Sequence, residues 1–398
     1  MKKKILFLGA SHTQVPPIKY AKKMGHYVIC CDQKEKSPGF KFCDQSYVVS
    51  TTNKKKILEI SKKLKINGIV TYVSDAASPT VSYVSKKLKL EGLPIQAVNT
   101  LINKNLFRKF LKKNNFNYPK FKTFKSTEKI SNFITKIGYP FFIKPIDSSG
   151  SKGVTKVKKK ENIKKAVLEA LSYSRKKKFI IEKVIDRKGY QVAGDGFVMN
   201  KKLVFRCWGD EHFNEKLNGL ITIGPSIPSI HSEKKLKKAH KETQRVINLL
   251  GINNGALNFD LIFDKNDNLF FLEIAPRNGG GLLPELIQKS TNVDLIKYTV
   301  DTALGMKLRK LSMEKSKGYW SSFMVHSIKK GTYKNLFISN KIKSRLIKSE
   351  IFVKTGDSVK KYGNSQHILG NLILKFKDQK EMLSLYKDPE KHIRVNLL

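Results

Sequence analysis

Two neighbouring apolar runs, each broken once by a carboxylate, constrain this chain more than any other feature. They read ALNFDLIF at 256–263 and NLFFLEIA at 268–275, with a polar turn between them at 264–268. Branched and aromatic runs of this length, joined by an Asp/Asn-rich turn, form adjacent strands. Side chains on a strand alternate between faces. Asp260 and Glu273 therefore share the face opposite Phe259, Leu261, Leu272 and Ile274. A buried carboxylate is expensive, and two facing each other are more so unless cations compensate. Mg²⁺ carrying nucleotide phosphates would meet that need, because it demands oxygen ligands and takes few of them from protein. The competing reading is an exposed sheet face with ordinary acids. The chain holds only 32 acidic residues, which favours the metal reading.

The first hundred residues have a different texture. An apolar strand at 4–9 ends in Gly-Ala-Ser-His, a helix follows over 14–24, and HYVICCD closes a strand on Asp32. The pattern repeats with a helix at 55–64, a strand at 68–73 and a helix ending at Leu88. Such βαβ text predicts an open parallel α/β domain over 1–100. The loop GASHTQ lacks GxGxxG spacing, which weighs against a nucleotide-binding oxidoreductase. Residues 120–200 mix short strands (141–146, 154–157, 179–185, 191–199) with a helix at 161–173, a small α+β unit. A helix at 233–250 places Leu236, Ala239, Val246 and Leu250 on one face. Residues 311–398 return to β text, including a strand–turn–strand reading of IFVKTGDSVKKYG.

The formal net charge of +46 invites a nucleic-acid reading. Of the 78 basic residues, however, only nine are arginine, and arginine supplies the bidentate contacts that such recognition favours. The lysines are spread over helix faces, with no zinc-finger spacing and no aromatic-interleaved basic tract. The reading is a lysine-rich surface with no specific nucleic-acid partner, whose field also attracts anionic substrates. No stretch approaches the roughly 18–20 apolar residues of a membrane span, so no membrane role is expected. The apolar run at 5–10 is too short for a secretion signal. The four cysteines (30, 31, 43, 207) match no metal or redox spacing, which fits a reducing cytoplasmic setting.

Two further blocks carry chemistry. In IKPIDSSGSKG at 143–153, Lys144 ends an apolar strand, and Ser149, Gly150, Ser151, Lys152 and Gly153 follow in a loop whose amides can close over phosphate oxygens. It is not a P-loop, because GxxxxGK[ST] is absent. In PRNGGG at 276–281, Arg277 stands beside an open glycine backbone, an arrangement suited to a carboxylate or a transferring phosphate.

In this order the blocks resemble the ATP-grasp superfamily, nearest its carboxylate–amine ligase and carbamoyl-phosphate-synthase-like branch. The resemblance implies an α/β and α+β chain with the ATP-grasp fold. An N-terminal open parallel α/β (pre-ATP-grasp) domain would span 1–100 and the ATP-grasp module 101–310, with a small α+β lid over 118–200. A C-terminal β-rich domain would span 311–398. NKNLFRKFLKKNNFNYP resembles the helix that opens the module and makes Lys104 the first phosphate lysine. GYPFFIKPIDSSGSKGV places Lys144 and the loop 149–153 over the phosphates. IIEKVI resembles the adenine hinge, which implies Glu182 and the backbone of Lys183 and Val184, with Gln191 where an acid near the ribose is common. The magnesium strands give Asp260 and Glu273, and Arg277 lies near the acyl phosphate.

The family usually writes an asparagine two residues past that glutamate, as a metal ligand. Here the position is Ala275, and Asn258 and Asn278 are the candidates to replace it. The implied reaction makes an acyl phosphate from a small-molecule carboxylate and ATP, then joins it to an amine with release of ADP and phosphate. ATP and Mg²⁺, or Mn²⁺ in its place, are the implied cofactors, Arg277 and Lys144 the catalytic residues, and a homodimer is compatible. The alternative on the same fold is a carboxylase or a formate- or bicarbonate-activating enzyme. By position alone, His12, Asp75, Arg206 and His212 are candidates for substrate contact, while His326 and His367 read as structural.

Overall fold

The computed structural model describes residues 2–217 and 219–398. Strands that are apolar at every position need cover on both faces. Lys4–Leu8, Tyr27–Asp32, Gln45–Val48 and Gly68–Val70 form a parallel sheet with Lys4–Leu8 paired to both Tyr27–Asp32 and Gly68–Val70. Alternate residues feed two cores. Ile5, Phe7, Val28 and Cys30 pack on one side, and Leu6, Leu8, Ile29 and Cys31 on the other. The helices Val15–Lys23 and Lys54–Leu64 connect the strands, and Ser78–Leu88 follows the last of them. Asn53 starts the second of these by accepting the Lys56 amide, which satisfies one of the free amides of a first turn. Gly9 turns the first strand at φ +108°, where a Cβ would lie 1.8 Å from the Gln14 side chain.

The small unit is a four-stranded antiparallel sheet in the order Phe121–Phe124, Phe179–Lys183, Phe141–Pro145, Thr155–Val157. Two helices, Ser131–Ile137 and Ile163–Tyr173, cover its apolar face around Phe141, Ile143, Phe179 and Ile181. The strand Gln191–Met199 lies outside this sheet and joins the large one.

The large sheet has eight antiparallel strands. Its order is Leu269–Ala275, Gly255–Phe263, Gln191–Met199, Lys202–Phe213, Thr222–Ile227, Tyr319–Val325, Gly370–Phe376, Leu346–Ile351. The helix Glu233–Leu250 buries Ala239, Val246 and Ile247 in a core with Leu257, Phe259, Leu261 and Phe263, while Leu236 and Leu250 sit at its margin. Each such large side chain contributes about 1.5–3 kcal/mol by leaving water. The other face packs Phe197, Phe205 and Ala256 against the helix Leu283–Thr291 in one region and presents Gln191, Glu211, Asn258 and Asp260 to a cavity in another.

Three readings of the sequence change here. His212, in a stretch given no element above, lies inside the twelve-residue strand Lys202–Phe213, which holds Asp210, Glu211 and His212 as buried residues. The strand–turn–strand reading of 351–363 reduces to the short strand Ser358–Val359, in a separate three-stranded sheet with Gly331–Ile338 and Ile393–Leu397. The intervening KTGDSVKK has no apolar alternation to hold a longer pairing. His367, read in β text, falls in the 3₁₀ turn Ser365–His367.

Candidate active site

A cavity of about 660 Å³ lies between the small sheet and the polar face of the large one. Lys104, Lys144, Ser149, Gly150, Ser151, Glu182, Lys183, Val184, Gln191, Asp260, Glu273 and Arg277 all line it. Lys152 lines a smaller adjoining cavity together with Asp75 and Glu273. Gly153 packs away from both, and a Cβ there would press on Tyr173 and Pro145 at 2.9 and 3.0 Å.

Asp260 and Glu273 are direct cross-strand partners. Burial and the adjacent Glu273 push the Asp260 carboxyl up to about 7, against the hydrogen bond it accepts from Gln191 Nε2 at 2.9 Å. The register shifts between Asp260 and Leu261, so Leu261 pairs with Phe271 and Leu272 is the extra residue of a bulge. Leu272 consequently lines the cavity, where strict alternation put it on the opposite face. Among the described residues no group of three or more His, Cys, Asp or Glu forms a metal cluster. A pair of facing carboxylates, of which Glu273 has Lys104 at 3.6 Å and Asp260 is in no ion pair of the described residues, fits Mg²⁺ held mainly by phosphates and water.

The cations are already engaged. Lys104 Nζ donates to Ser148 O at 2.8 Å and stands 3.6 Å from Glu273 Oε2. Lys144 Nζ lies 2.8 Å from Glu182 Oε2, and Arg108 Nε lies 2.9 Å from Glu182 Oε1. Burial alone would raise the Glu182 carboxyl, but Arg108 and Lys144 outweigh it and hold it at about 2. The Lys144 ammonium is lowered by burial, with Glu182 opposing. Arg108 also donates to the carbonyls of Phe271 and Leu272, so this triad fixes the helix Lys104–Lys113, the small sheet and the strand Leu269–Ala275 to one another.

Arg277 is held just as firmly. Its Nε and one terminal nitrogen meet both Asp75 oxygens at 2.9 and 3.0 Å, and the other terminal nitrogen reaches Asn258 Oδ1 at 3.0 Å. Burial works against the Asp75 carboxylate, yet Arg277 keeps it below its ordinary range. Behind them Asp195, fully buried, accepts the Gly279 amide on both oxygens and the Asn258 side-chain amide at 2.9 Å. Asn258 lies opposite Ala275 in register and lines the cavity. Asn278 is buried against Tyr72 and Thr299, outside the cavity wall.

The loop over the cavity is anchored at three points. Ser148 takes the Lys104 bond, Ser151 Oγ donates to Leu220 O at 2.8 Å, and Gly150 O accepts the Ser365 amide at 3.3 Å. Gly150 has φ +64°, and a Cβ there would sit 2.1 Å from Ser365 Oγ.

Of the residues named by position for substrate contact, Asp75 lines the cavity. His12 stacks on Phe352 at 4.4 Å and Arg206 lies over Trp208. His212 stacks on Tyr386 at 3.6 Å and bonds Ser226, and burial lowers it to about 3. Arg108 and Asp195 gave no chemical signal in the sequence, whereas Asn258 was one of the two candidates for the missing asparagine. The one available hint was an arginine on the apolar face of its helix, where Arg108 is 1% exposed.

The family described as carbamoyl-phosphate synthase L chain, ATP binding domain, matches residues 103–311, and the PylC-like N-terminal domain matches residues 5–92. The formate-dependent phosphoribosylglycinamide formyltransferase of Prochlorococcus marinus (strain NATL1A) is 28% identical over 295 residues, covering 73% of this chain and 74% of that one. In fold, the L-amino acid ligase of Bacillus licheniformis superposes with TM-score 0.81 at 17% identity, over 100% of this chain and 99% of that one. The phosphoribosylglycinamide synthetase of Anaerococcus prevotii superposes with TM-score 0.76 at 22% identity over the whole of both chains. The chain belongs to the carbamoyl-phosphate synthase L chain ATP-binding family, and with it to the carboxylate–amine ligase branch of the ATP-grasp superfamily. It is an ATP-grasp ligase, of the general acyl-phosphate chemistry that forms C–N or C–C bonds. Among the described residues no helix is long and apolar enough to cross a membrane.

Proposed function

We propose that the chain activates a small-molecule carboxylate with ATP and joins it to an amine. A carboxylate oxygen attacks the γ-phosphorus, the bond to ADP breaks, and an acyl phosphate forms. The amine nitrogen then attacks the acyl carbon, phosphate departs with its oxygen, and the nitrogen loses a proton. The observation that carries this reading is the cross-strand pair Asp260 and Glu273, on the same cavity as Lys104, Lys144 and Arg277. Like charges this close are a stability cost that a nucleotide-bound cation removes. Such a wall of fixed charges stabilises a transferring phosphoryl group without covalent help from protein.

In this reading ATP lies between the two sheets, with adenine at the backbone of Lys183 and Val184. Its phosphates lie under the loop 149–153, beside Lys104 and Lys144. Glu182 serves by holding Lys144 and Arg108, through the bonds described above. Mg²⁺ would be held by Asp260 and Glu273, with Asn258, which lies opposite Ala275, in place of the family's asparagine, and would neutralise phosphate charge. Arg277, fixed by Asp75, would meet the acyl phosphate. The anchored loop would exclude water that otherwise hydrolyses the intermediate.

A second reading, with formate or bicarbonate as the acid, is favoured by the 28% identity to a formate-dependent enzyme. The test is coupled-enzyme detection of ADP over a grid of carboxylates, formate and bicarbonate included, against amines. ADP formation that requires both an acid and an amine supports the main reading, and formation with formate or bicarbonate the second. Failure of ADP–Mg²⁺ to bind in calorimetry at high salt overturns both.

A further inference from the structure

The buried acids around the cavity follow one rule with one exception. Glu182 has Arg108 and Lys144, and Asp75 has Arg277. Asp195 has the Gly279 amide and Asn258, while Asp210 has Ser229 and the Ile230 amide. Glu211 has none of these. It is 8% exposed, it lines the cavity, and its Oε1 has no hydrogen-bond partner among the described residues. None of the ion pairs of the described residues includes it, although the chain carries 78 basic side chains.

The neighbours that could have satisfied it are committed elsewhere. Tyr362 Oη donates to Thr222 O at 2.7 Å, and Tyr386 Oη pairs with Ser321. Burial, and then the like-charged Asp260, push the Glu211 carboxyl well above its ordinary range, so its surroundings favour the neutral acid over the carboxylate. Such an acid either takes a proton or ionises against a cation, and the carboxylate form requires the cation. Protein supplies none here, and the cavity is the remaining source.

The sheet register fixes where that cation would lie. Asp260 pairs with Ala193, Gln191 is two residues along the same strand, and Glu211 pairs with Gln191. Asp260, Gln191 and Glu211 therefore share one face. Two strand spacings separate the strand of Asp260 from that of Glu211, roughly 10 Å across the sheet. A small organic molecule reacting beside Asp260 and Arg277 spans that distance.

We infer that Glu211 receives a cationic group, an ammonium or a guanidinium, carried by one of the two substrates. The inference rests on the ligase reading above and adds the substrate class to it. A surface of net charge +46 disfavours cations in general, so a cation bound here has a local cause.

The test is ligand-observed saturation-transfer NMR with two shape-matched pairs of a cation and a neutral analogue, putrescine against 1,4-butanediol and methylguanidinium against N-methylurea. Wild type, Glu211→Gln and Glu211→Asp are compared, with saturating Mg²⁺ and with or without ADP. Wild type is expected to bind a cation in preference to its neutral partner. Glu211→Gln should weaken that cation at least tenfold, while Glu211→Asp, which keeps the charge, should retain the preference. Equal transfer to cation and neutral partner in wild type overturns the inference, as does unchanged cation binding in Glu211→Gln. Should the Gln variant not fold, the wild-type and Asp comparison decides. Calorimetry of ADP–Mg²⁺ on wild type runs in parallel. Its failure overturns the nucleotide reading, and the cation result is read independently of it.

Discussion

Replacing Glu182 by Gln tests whether the buried triad is the frame on which the phosphate lysine is mounted. The residue is 2% exposed and Arg108 is 1% exposed, so water screens neither partner. Burial pushes the Glu182 carboxyl up, and Arg108 and Lys144 bring it down to about 2 from an ordinary 4.5. At roughly 1.4 kcal/mol per pKa unit, that difference is a net stabilisation of about 3 kcal/mol at neutral pH. Removing one member of a buried ion network while leaving the others costs about 3–5 kcal/mol, a consistent figure reached by another route. The lowered folded-state pKa sets the sign. The stabilisation is complete above about pH 4.5 and is lost as pH falls through about 2. Urea unfolding of wild type and E182Q should therefore show a midpoint difference worth about 3–5 kcal/mol at pH 7, constant down to pH 5 and shrinking below it. Nucleotide affinity should fall as well, because Lys144 loses the carboxylate that keeps it charged and in place. A variant within about 0.5 kcal/mol of wild type at pH 7 would refute the assignment of the triad as a structural frame.

Three other outcomes follow from the same geometry. Glu273→Gln should abolish most ATP turnover, and urea unfolding should find its apo stability equal or higher, since it removes one of two facing carboxylates. Gly150→Ala should weaken the ADP–Mg²⁺ protection of residues 148–153 against trypsin, because φ of +64° and the contact with Ser365 both disfavour a side chain. Asn258→Ala should raise the Mg²⁺ concentration needed for half-maximal turnover, whereas Asn278→Ala should act on stability alone. The two are separated by a metal titration and an unfolding curve.

Much of this architecture was legible because its signals were local. Alternation and apolar length located the strands at Asp260 and Glu273, and composition set off the parallel domain before residue 100. What escaped was non-local. The strand Lys202–Phe213 hides behind Asp210, Glu211 and His212, polar residues that become acceptable only when neighbouring strands and the cavity surround them. The bulge at Leu272 depends on how two strands slip past each other, and no single-strand periodicity reports that. Arg108 and Glu182 are 74 residues apart, so their pairing appears only when helix and small sheet meet. The Ala275 departure became interpretable for the same reason. The register sets Asn258 across from it and leaves Asn278 in a different interface.

The most direct measurement follows an oxygen atom. Once the coupled assay has identified a turning-over acid, that acid is supplied with both carboxyl oxygens as ¹⁸O, and the released phosphate is read by its isotope-shifted ³¹P signal. An acyl-phosphate route transfers one carboxylate oxygen to phosphorus, so the account predicts one ¹⁸O in each phosphate formed with product. Phosphate carrying no ¹⁸O, while labelled product accumulates at the same rate, would contradict it.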